Sequence, residues 1–285
     1  MQACLLDSTL HLPPPTHCHF LFITQRRKLT KTSTRLVLVL VGLPARGKSF
    51  VARKLEAYMR WTGNQCEIFN VGRYRRQAVA EMEAVSDGAC DADFFDPQNQ
   101  RAAALREKVA EVALLDMLRW LDIEDEDEES MHGSSSLFSR QNSTWSRSRS
   151  ERNAGRVAIF DATNSTMKRR KWILEMCTSP EKRGDKQTGV VFVESLCDDK
   201  ELIEENYRYK VSNSPDYEHM STEEALADLR RRVEKYESKY ETVQNEAHSY
   251  IKIFNLSTKL MVNHIYGRMA KELVPALMAW HIGTR

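Results

Sequence analysis

Residues 36–50, LVLVLVGLPARGKSF, combine an unbroken apolar run with a glycine-rich turn and the start of a segment with helical spacing. Six consecutive aliphatic residues are typical of a strand that is covered on both faces, as in a parallel sheet. The turn fits the spacing GxxxxGK[ST], which indicates a phosphate-binding loop when a strand precedes it and a helix follows. We therefore predict that this segment binds a nucleoside triphosphate.

The loop itself runs from Gly42 to Ser49. Gly42 and Gly47 would let the backbone wrap the phosphates with its N–H groups pointing inward, and the following helix would add the positive end of its dipole. Lys48 is expected to reach the β- and γ-phosphates, and Ser49 to ligate Mg²⁺. The predicted loop residues are Gly42, Leu43, Pro44, Ala45, Arg46, Gly47, Lys48 and Ser49.

The composition of the 285-residue chain is typical of a globular enzyme, with 41% hydrophobic and 29% charged residues. A formal net charge of +2 gives no whole-molecule reason to expect a nucleic-acid or membrane partner, so we predict neither. The six cysteines lie far apart without a CxxC pair, which favours reduced thiols over a disulfide framework or a zinc site. We predict a cytoplasmic location.

Apolar, β-branched runs alternate with longer segments of helical spacing, which favours a parallel sheet with crossover helices. Strands are predicted at 36–41, 67–71, 157–162, 190–195 and 250–254. Helices are predicted at 48–62, 100–121, 165–177, 199–209, 221–241 and 258–272. The predicted fold class is α/β, a P-loop NTPase-like, mainly parallel sheet with helices on both faces.

Three segments are not expected to join the packed domain, which we place at 36–280. Residues 1–35 contain three consecutive prolines, so we predict a disordered leader rather than an organellar presequence. Residues 122–155 run from an acidic block to a Ser/Arg-rich block with almost no aliphatic side chains, which predicts a disordered insert within the domain. A plain linker and a target of another kinase are the two hypotheses for it. Residues 281–285 form a short tail.

A carboxylate near the metal is the second requirement of a phosphate-loop enzyme, and it usually follows a neighbouring strand. Asp161 ends the apolar run VAIFD and is followed by Thr163 and Asn164. A helix-capping role is the alternative for this aspartate. Its combination with the phosphate loop favours the metal role.

Basic residues gather just after the predicted strands, where ligands bind in open α/β sheets. FNVGRYRR places Arg75 and Arg76 after the second strand, LREK supplies Arg106, and STMKRRKW supplies Arg169 after Asp161. Any one of these arginines could simply be solvated. In a chain with little net charge, their clustering favours a second phosphorylated ligand beside the nucleotide. The residues thus predict a small-molecule kinase with a phosphorylated acceptor.

Several stretches resemble, in order, the motifs of one family, the kinase domain of 6-phosphofructo-2-kinase/fructose-2,6-bisphosphatase. The stretches are VGLPARGKS, FNVGRYRR, FDATNSTMKRR, FVESLCDD, SPDY and YIKIFNL, and the similarity extends from about residue 36 to 280 apart from the insert. The resemblance implies transfer of the ATP γ-phosphate to the 2-hydroxyl of fructose 6-phosphate, with ATP and Mg²⁺ as cofactors. It also implies a role in regulating glycolysis through fructose 2,6-bisphosphate.

The resemblance also implies which residues form the site. Lys48, Asp161 and Lys210 would be the catalytic residues, and Ser49 and Asp161 would hold the metal. Phe50 beside the loop and Asn206 on the adenine side would join the nucleotide site. The implied sugar-phosphate residues are Arg75, Arg76, Arg106, Thr163, Arg169, Lys210, Arg232 and Tyr236. Lys210 stands one residue earlier than in the animal members of the family.

Two other hypotheses stay open from the residues alone. The chain could phosphorylate another phosphorylated metabolite, or it could be an inactive nucleotide-binding regulator, although Lys48, Ser49 and Asp161 are all present. The family usually carries a histidine phosphatase with an RHG motif after the kinase, and this chain has no RHG. We therefore expect it not to hydrolyse fructose 2,6-bisphosphate. A homodimer is a further hypothesis.

Overall fold

The computed structural model describes residues 34–83, 92–96, 98–123, 155–256 and 258–282. The predicted leader, apart from its last two residues, lies outside these ranges. So do the interior of the predicted insert and the last three residues of the predicted tail.

Six strands form one sheet. They are β1 (Arg35–Val41), β2 (Gln65–Asn70), β3 (Arg156–Asp161), β4 (Thr188–Leu196), β5 (Tyr250–Phe254) and β6 (Lys259–Asn263). Their order across the sheet is β2-β3-β1-β4-β5-β6, and every pairing is parallel except that of β6 with β5. The predicted mainly parallel sheet is confirmed.

Helices follow most strands. They are α1 (Lys48–Trp61), α2 (Val71–Glu83), α3 (Gln100–Asp122), α4 (Met167–Thr178), α5 (Pro180–Arg183), α6 (Lys200–Asn213), α7 (Thr222–Glu237) and α8 (Arg268–Ile282). Short 3₁₀ turns lie at Ala92–Phe95 and Pro215–Tyr217. In the part of the chain that the structure describes, no helix has the length and apolarity needed to cross a membrane.

The apolar run of β1 is explained by the two layers of helices. Its leucines pack on one face of the sheet with residues of α1 and α8, and its valines pack on the other with residues of α3 and α4. Side chains of a strand alternate between the two faces, so a central strand buried on both sides needs apolar residues at every position. The predicted placement of helices on both faces is confirmed.

One prediction about an element is wrong, and one helix was missed. The helix predicted at 258–272 begins only at Arg268, because 259–263 form β6 and take their backbone hydrogen bonds from β5. Pairing with β5 makes this segment a strand although its local spacing of apolar residues is helical. The structure also forms α2 from Val71, a helix that was not predicted.

A buried carboxylate connects the sheet to the segment that follows α7. Glu194 on β4 is fully buried and accepts hydrogen bonds from the Tyr240 hydroxyl at 2.6 Å and the Thr242 hydroxyl at 3.0 Å. Lys252 on β5 lies 3.1 Å from the same carboxylate. Burial and the Glu194 carboxylate raise the pKa of Tyr240, so its hydroxyl stays a donor. These bonds hold the segment after α7 against the sheet.

We expect Tyr240→Phe to lower the free energy of unfolding by about 1.5–3 kcal/mol, because it removes a buried hydrogen bond to a charged group. Urea unfolding followed by circular dichroism measures the change. Tyr58→Phe is the matched control, since Tyr58 contacts Trp61 through its ring. Equal stability of the two variants would show that the Tyr240 hydroxyl contributes nothing.

Candidate active site

A cleft of about 600 Å³ lies at the carboxyl ends of β1, β2 and β3. Its walls come from the phosphate loop, from α2 and α3, from the segment after β3, and from α6 and α7. Ligands of open α/β sheets bind at this edge. The cleft is therefore where the predicted nucleotide and acceptor residues would have to meet.

The phosphate loop needs glycine at two positions. Gly42 has a φ of +142°, and a Cβ there would lie 2.6 Å from the carbonyl oxygen of Ser195. Gly47 has a φ of +80°, and its Cβ would collide with the side chain of Leu256. Because both positions combine a positive φ with a Cβ that would meet a neighbouring residue, the loop can adopt this conformation only with glycine there.

Lys48 begins α1 and is almost completely buried at the base of the cleft. Its Nζ donates to the carbonyl oxygen of Leu43 at 2.5 Å, which folds the side chain back along the loop. Burial lowers the pKa of Lys48 to about 7, while Asp161 partly opposes that shift. The ammonium group thus lacks full compensation from the protein, and polyphosphate oxygens would supply it.

Asp161 joins the loop to two strands. Its Oδ2 accepts hydrogen bonds from the Ser49 hydroxyl at 2.8 Å and from the Asn70 amide at 2.6 Å. The capping alternative is excluded for α4, whose N-cap is Thr166. Asn70 was missed from the sequence, although it ends β2 directly beside Asp161 in the sheet register.

The oxygen donors at this point fit Mg²⁺. Ser49 and Asp161 are close enough to share one ion, and Mg²⁺ is usually bound by one or two protein oxygens together with water and substrate phosphates. Within the described residues, no group of three or more His, Cys, Asp or Glu side chains could form a cage of its own. The arrangement therefore suits a metal that arrives with a nucleotide.

On the opposite wall, a single carboxylate gathers three arginines. Asp216 accepts from Arg75 at 2.5 Å, from Arg232 at 3.1 Å and from Arg76 at 3.3 Å. Burial alone would raise the pKa of Asp216, but Arg75 and Arg232 outweigh it and hold the pKa well below its usual range. Sequence reasoning missed Asp216, whose only signal was its place in SPDY.

Lys210 on α6 also lines the cleft and links its two halves electrostatically. Burial and Arg232 lower the pKa of Lys210 to about 8, while Asp216 and Asp161 oppose that shift. A cation in this place interacts with both Asp161 and the arginine group.

A further group of basic residues lies along α3 and α4. Arg106 donates to the carbonyl oxygen of Phe94, and Arg169 pairs with Glu107 at 2.6 Å and stacks on Trp172. Thr163 and Tyr236 line the same part of the cleft, and so does Lys239, which sequence reasoning missed. The predicted acceptor residues are thus brought together in one cleft, although the arginines lie on helices and not on loops.

Some buried donors in this cleft have no partner within the described residues. They are Nε and Nη1 of Arg75, Nη1 of Arg169, Nε of Arg232 and Nδ2 of Asn206. Buried N–H groups in native proteins are nearly always satisfied. A bound anionic ligand would satisfy the arginine atoms.

Not every predicted loop residue faces the cleft. Gly42, Leu43 and Arg46 are absent from its lining, whereas Pro44, Ala45 and Gly47 to Phe50 belong to it. Arg46 is buried, with its guanidinium over the Tyr207 ring and 3.7 Å from Glu237. Phe50 is 44% exposed at the rim.

A mainly parallel sheet with a glycine-rich loop between β1 and α1 defines this chain as a P-loop protein. The family model described as 6-phosphofructo-2-kinase matches residues 24–150 and 147–283. The chain belongs to the 6-phosphofructo-2-kinase family.

Curated relatives agree with this assignment. A 6-phosphofructo-2-kinase/fructose-2,6-bisphosphatase from Bos taurus is 34% identical over 257 residues, covering 89% of this chain and 45% of the relative. One from Arabidopsis thaliana is 35% identical over 261 residues, covering 90% of this chain and 29% of the relative. The chain therefore spans about half or less of the length of these relatives.

Solved structures are more distant. A fungal RNA kinase has a TM-score of 0.40 at 12% identity, covering 89% of this chain and 87% of its own. A shikimate kinase from Acinetobacter baumannii has a TM-score of 0.34 at 15% identity, covering 88% and 96%. These scores are too low to support an argument about function.

Proposed function

We propose that this chain transfers the γ-phosphate of ATP to the 2-hydroxyl of fructose 6-phosphate and so forms fructose 2,6-bisphosphate. One observation carries the proposal: a single cleft holds both the phosphate loop with Asp161 and a set of arginines with buried, unpaired N–H groups. The first half suits a nucleoside triphosphate, and the second suits another phosphorylated ligand. The family's name supplies the identity of the acceptor.

Positioning and charge neutralisation are the main requirements of phosphoryl transfer. The backbone of the loop and Lys48 would hold the β- and γ-phosphates, and Lys210 would stand between them and the acceptor group. Ser49 and Asp161 would hold Mg²⁺, which neutralises negative charge on the phosphate oxygens when it is bound. Asn70 donates to Asp161 and thereby keeps that carboxylate turned toward Ser49.

The acceptor residues would hold the sugar by its 6-phosphate and leave its 2-hydroxyl toward the nucleotide. Arg75, Arg232 and Arg169 still have unpaired donors, and in this proposal they would bind one phosphate from three different helices. Asp216 is a poor candidate for a general base, because its arginine partners hold its pKa well below the usual range and so make the carboxylate a weak proton acceptor. We assign no general base.

Release of ADP tests the proposal. The protein is incubated with ATP and Mg²⁺, with fructose 6-phosphate or with a panel of other sugar phosphates, and the product is identified by its acid lability. Preference for fructose 6-phosphate supports the proposal, and preference for another compound favours a different metabolite kinase. If the protein binds the nucleotide but releases no ADP with any acceptor in the panel, it is a regulator instead.

We expect Arg106→Ala to raise the KM for fructose 6-phosphate about tenfold or more, with little change in the KM for ATP. Loss of a charge-assisted bond to a bound phosphate costs about 1.5–3 kcal/mol of ground-state binding. Arg101→Ala, on the exposed side of the same helix, is the control. Equal effects on both substrates would contradict the assignment of Arg106 to the acceptor.

Several sequence predictions stay predictions: the cytoplasmic location, the homodimer, the inability to hydrolyse fructose 2,6-bisphosphate, and the action of another kinase on the insert. The domain boundaries at 36–280, 122–155 and 281–285 also remain predictions, as does the leader at 1–35.

A further inference from the structure

Asp216 forms ion pairs with three arginines of the proposed acceptor site, Arg75, Arg76 and Arg232. It lies in the 3₁₀ turn between α6 and α7, and its side chain is 3% exposed. Arg75 and Arg76 reach it from α2, 141 and 140 residues away in sequence, and Arg232 reaches it from α7. The carboxylate therefore joins two helices that form opposite sides of the acceptor group.

The bonds to Asp216 use only part of each guanidinium group. Asp216 accepts hydrogen bonds from Nη2 of Arg75 and Nη1 of Arg232. The Nε and Nη1 atoms of Arg75 and the Nε atom of Arg232 are buried and have no hydrogen-bond partner among the residues that the structure describes. Phe95 constrains the same two arginines from another direction, with its ring 3.7 Å from Arg232 and 5.1 Å from Arg75. Stacking limits movement out of the guanidinium plane, and the carboxylate limits rotation within it.

Charge balance gives Asp216 a second effect. Arg75, Arg76, Arg232 and Lys210 would repel one another in a buried site that contained no anion. One carboxylate offsets part of this repulsion and leaves a net positive charge, which a sugar phosphate could then neutralise. An uncharged residue of the same shape would fill the same space but would no longer reduce the repulsion among the arginines and Lys210.

We propose that Asp216 is the positioning residue of the acceptor site, holding Arg75, Arg76 and Arg232 so that the free N–H groups of Arg75 and Arg232 converge on one phosphate. This inference rests on the proposed function, since it takes that phosphate to belong to the acceptor sugar. Asp216 itself does not touch the reacting atoms. Its role is carried out through the arginines.

The test uses Asp216→Asn, Arg75→Ala and the double variant, with both substrates varied in steady-state kinetics. Asp216→Asn is expected to raise the KM for fructose 6-phosphate at least about tenfold and to change the KM for ATP less than about twofold. In the Arg75→Ala background, the same substitution should add less than about a threefold further rise, because the two residues act as a unit. An unchanged KM, an equal rise for both substrates, or fully additive effects would overturn the proposal.

Asp216→Glu covers the case in which the asparagine variant does not fold. It keeps the charge but moves the carboxylate by one methylene, so the KM for fructose 6-phosphate should rise about threefold or more with the KM for ATP unchanged. A wild-type KM for the sugar in this variant would overturn the proposal.

A separate readout distinguishes failure of this inference from failure of the proposed function. If the wild-type protein does not turn over fructose 6-phosphate, the proposed function is wrong, and calorimetry with inorganic phosphate then tests Asp216. Phosphate binding at least about tenfold weaker in Asp216→Asn than in the wild type supports the positioning role. Equal affinity for phosphate, or no phosphate binding by the wild type, would overturn it.

Discussion

Lys48→Ala is expected to lower kcat at least about 100-fold, because a preorganised charge beside the departing phosphoryl group is typically worth about 2.7–4 kcal/mol of the barrier. The same variant should melt at or above the wild-type temperature. Burial lowers the pKa of Lys48 more than Asp161 raises it, so the folded protein disfavours the charged form on balance, and removing the side chain relieves this net cost. Coupled-enzyme measurement of ADP release and differential scanning fluorimetry give the two quantities.

Lys171→Ala is the matched control, since Lys171 is an exposed lysine on α4 that pairs only loosely with Glu175 at 3.9 Å. It should retain wild-type kcat. Retention of more than about a tenth of the activity by Lys48→Ala, equivalent to a loss below about 1.4 kcal/mol, would mean that the phosphate-loop assignment is wrong.

Asp161→Asn is the second substitution with a large expected effect. We expect at least about a 100-fold loss of kcat at ordinary Mg²⁺ concentrations, because charge stabilisation by a bound metal is worth several kcal/mol. Asparagine keeps the shape of the side chain but replaces one carboxylate oxygen with an N–H donor next to Ser49 and Asn70, which themselves donate to that carboxylate. Titration with MgCl₂ should show a higher requirement for the metal.

Asp185→Asn provides the comparison for this variant, because Asp185 is exposed in the turn before β4. Both variants should keep the wild-type circular dichroism spectrum. An unchanged Mg²⁺ dependence in Asp161→Asn would remove the reason for placing the metal at this residue.

The phosphate loop at one end of the cleft could be predicted from the sequence because its parts are close together in the chain. Gly42 to Ser49 are contiguous, and the strand before them and the helix after them are strongly patterned. Asp161 is distant in sequence, but an aspartate at the end of a buried strand can be aligned with the loop by sheet topology alone. Local geometry and strand register thus suffice for this end of the cleft.

The arginine-rich half of the cleft depended on the tertiary structure. Clustering of basic residues near the predicted strand ends pointed to Arg75, Arg106 and Arg169, and the resemblance to a family added Arg232, but the sequence did not show how residues on four helices would meet. Asp216, which gathers Arg75 and Arg232, has no local pattern to mark it. Such pairings depend on how the helices pack, which periodicity does not encode.

Two elements that the sequence did not predict, β6 and α2, illustrate the same limit within the fold. Residues 259–263 have helical spacing but become a strand because β5 offers an unpaired edge, and Val71–Glu83 fold as a helix directly after β2. The sequence by itself determined the buried strands, the phosphate loop and the position of Asp161, since these follow from short-range patterns. Only the tertiary structure decided the edge strand and the arginine–Asp216 group, because both depend on contacts between segments that are far apart or that compete with local preference.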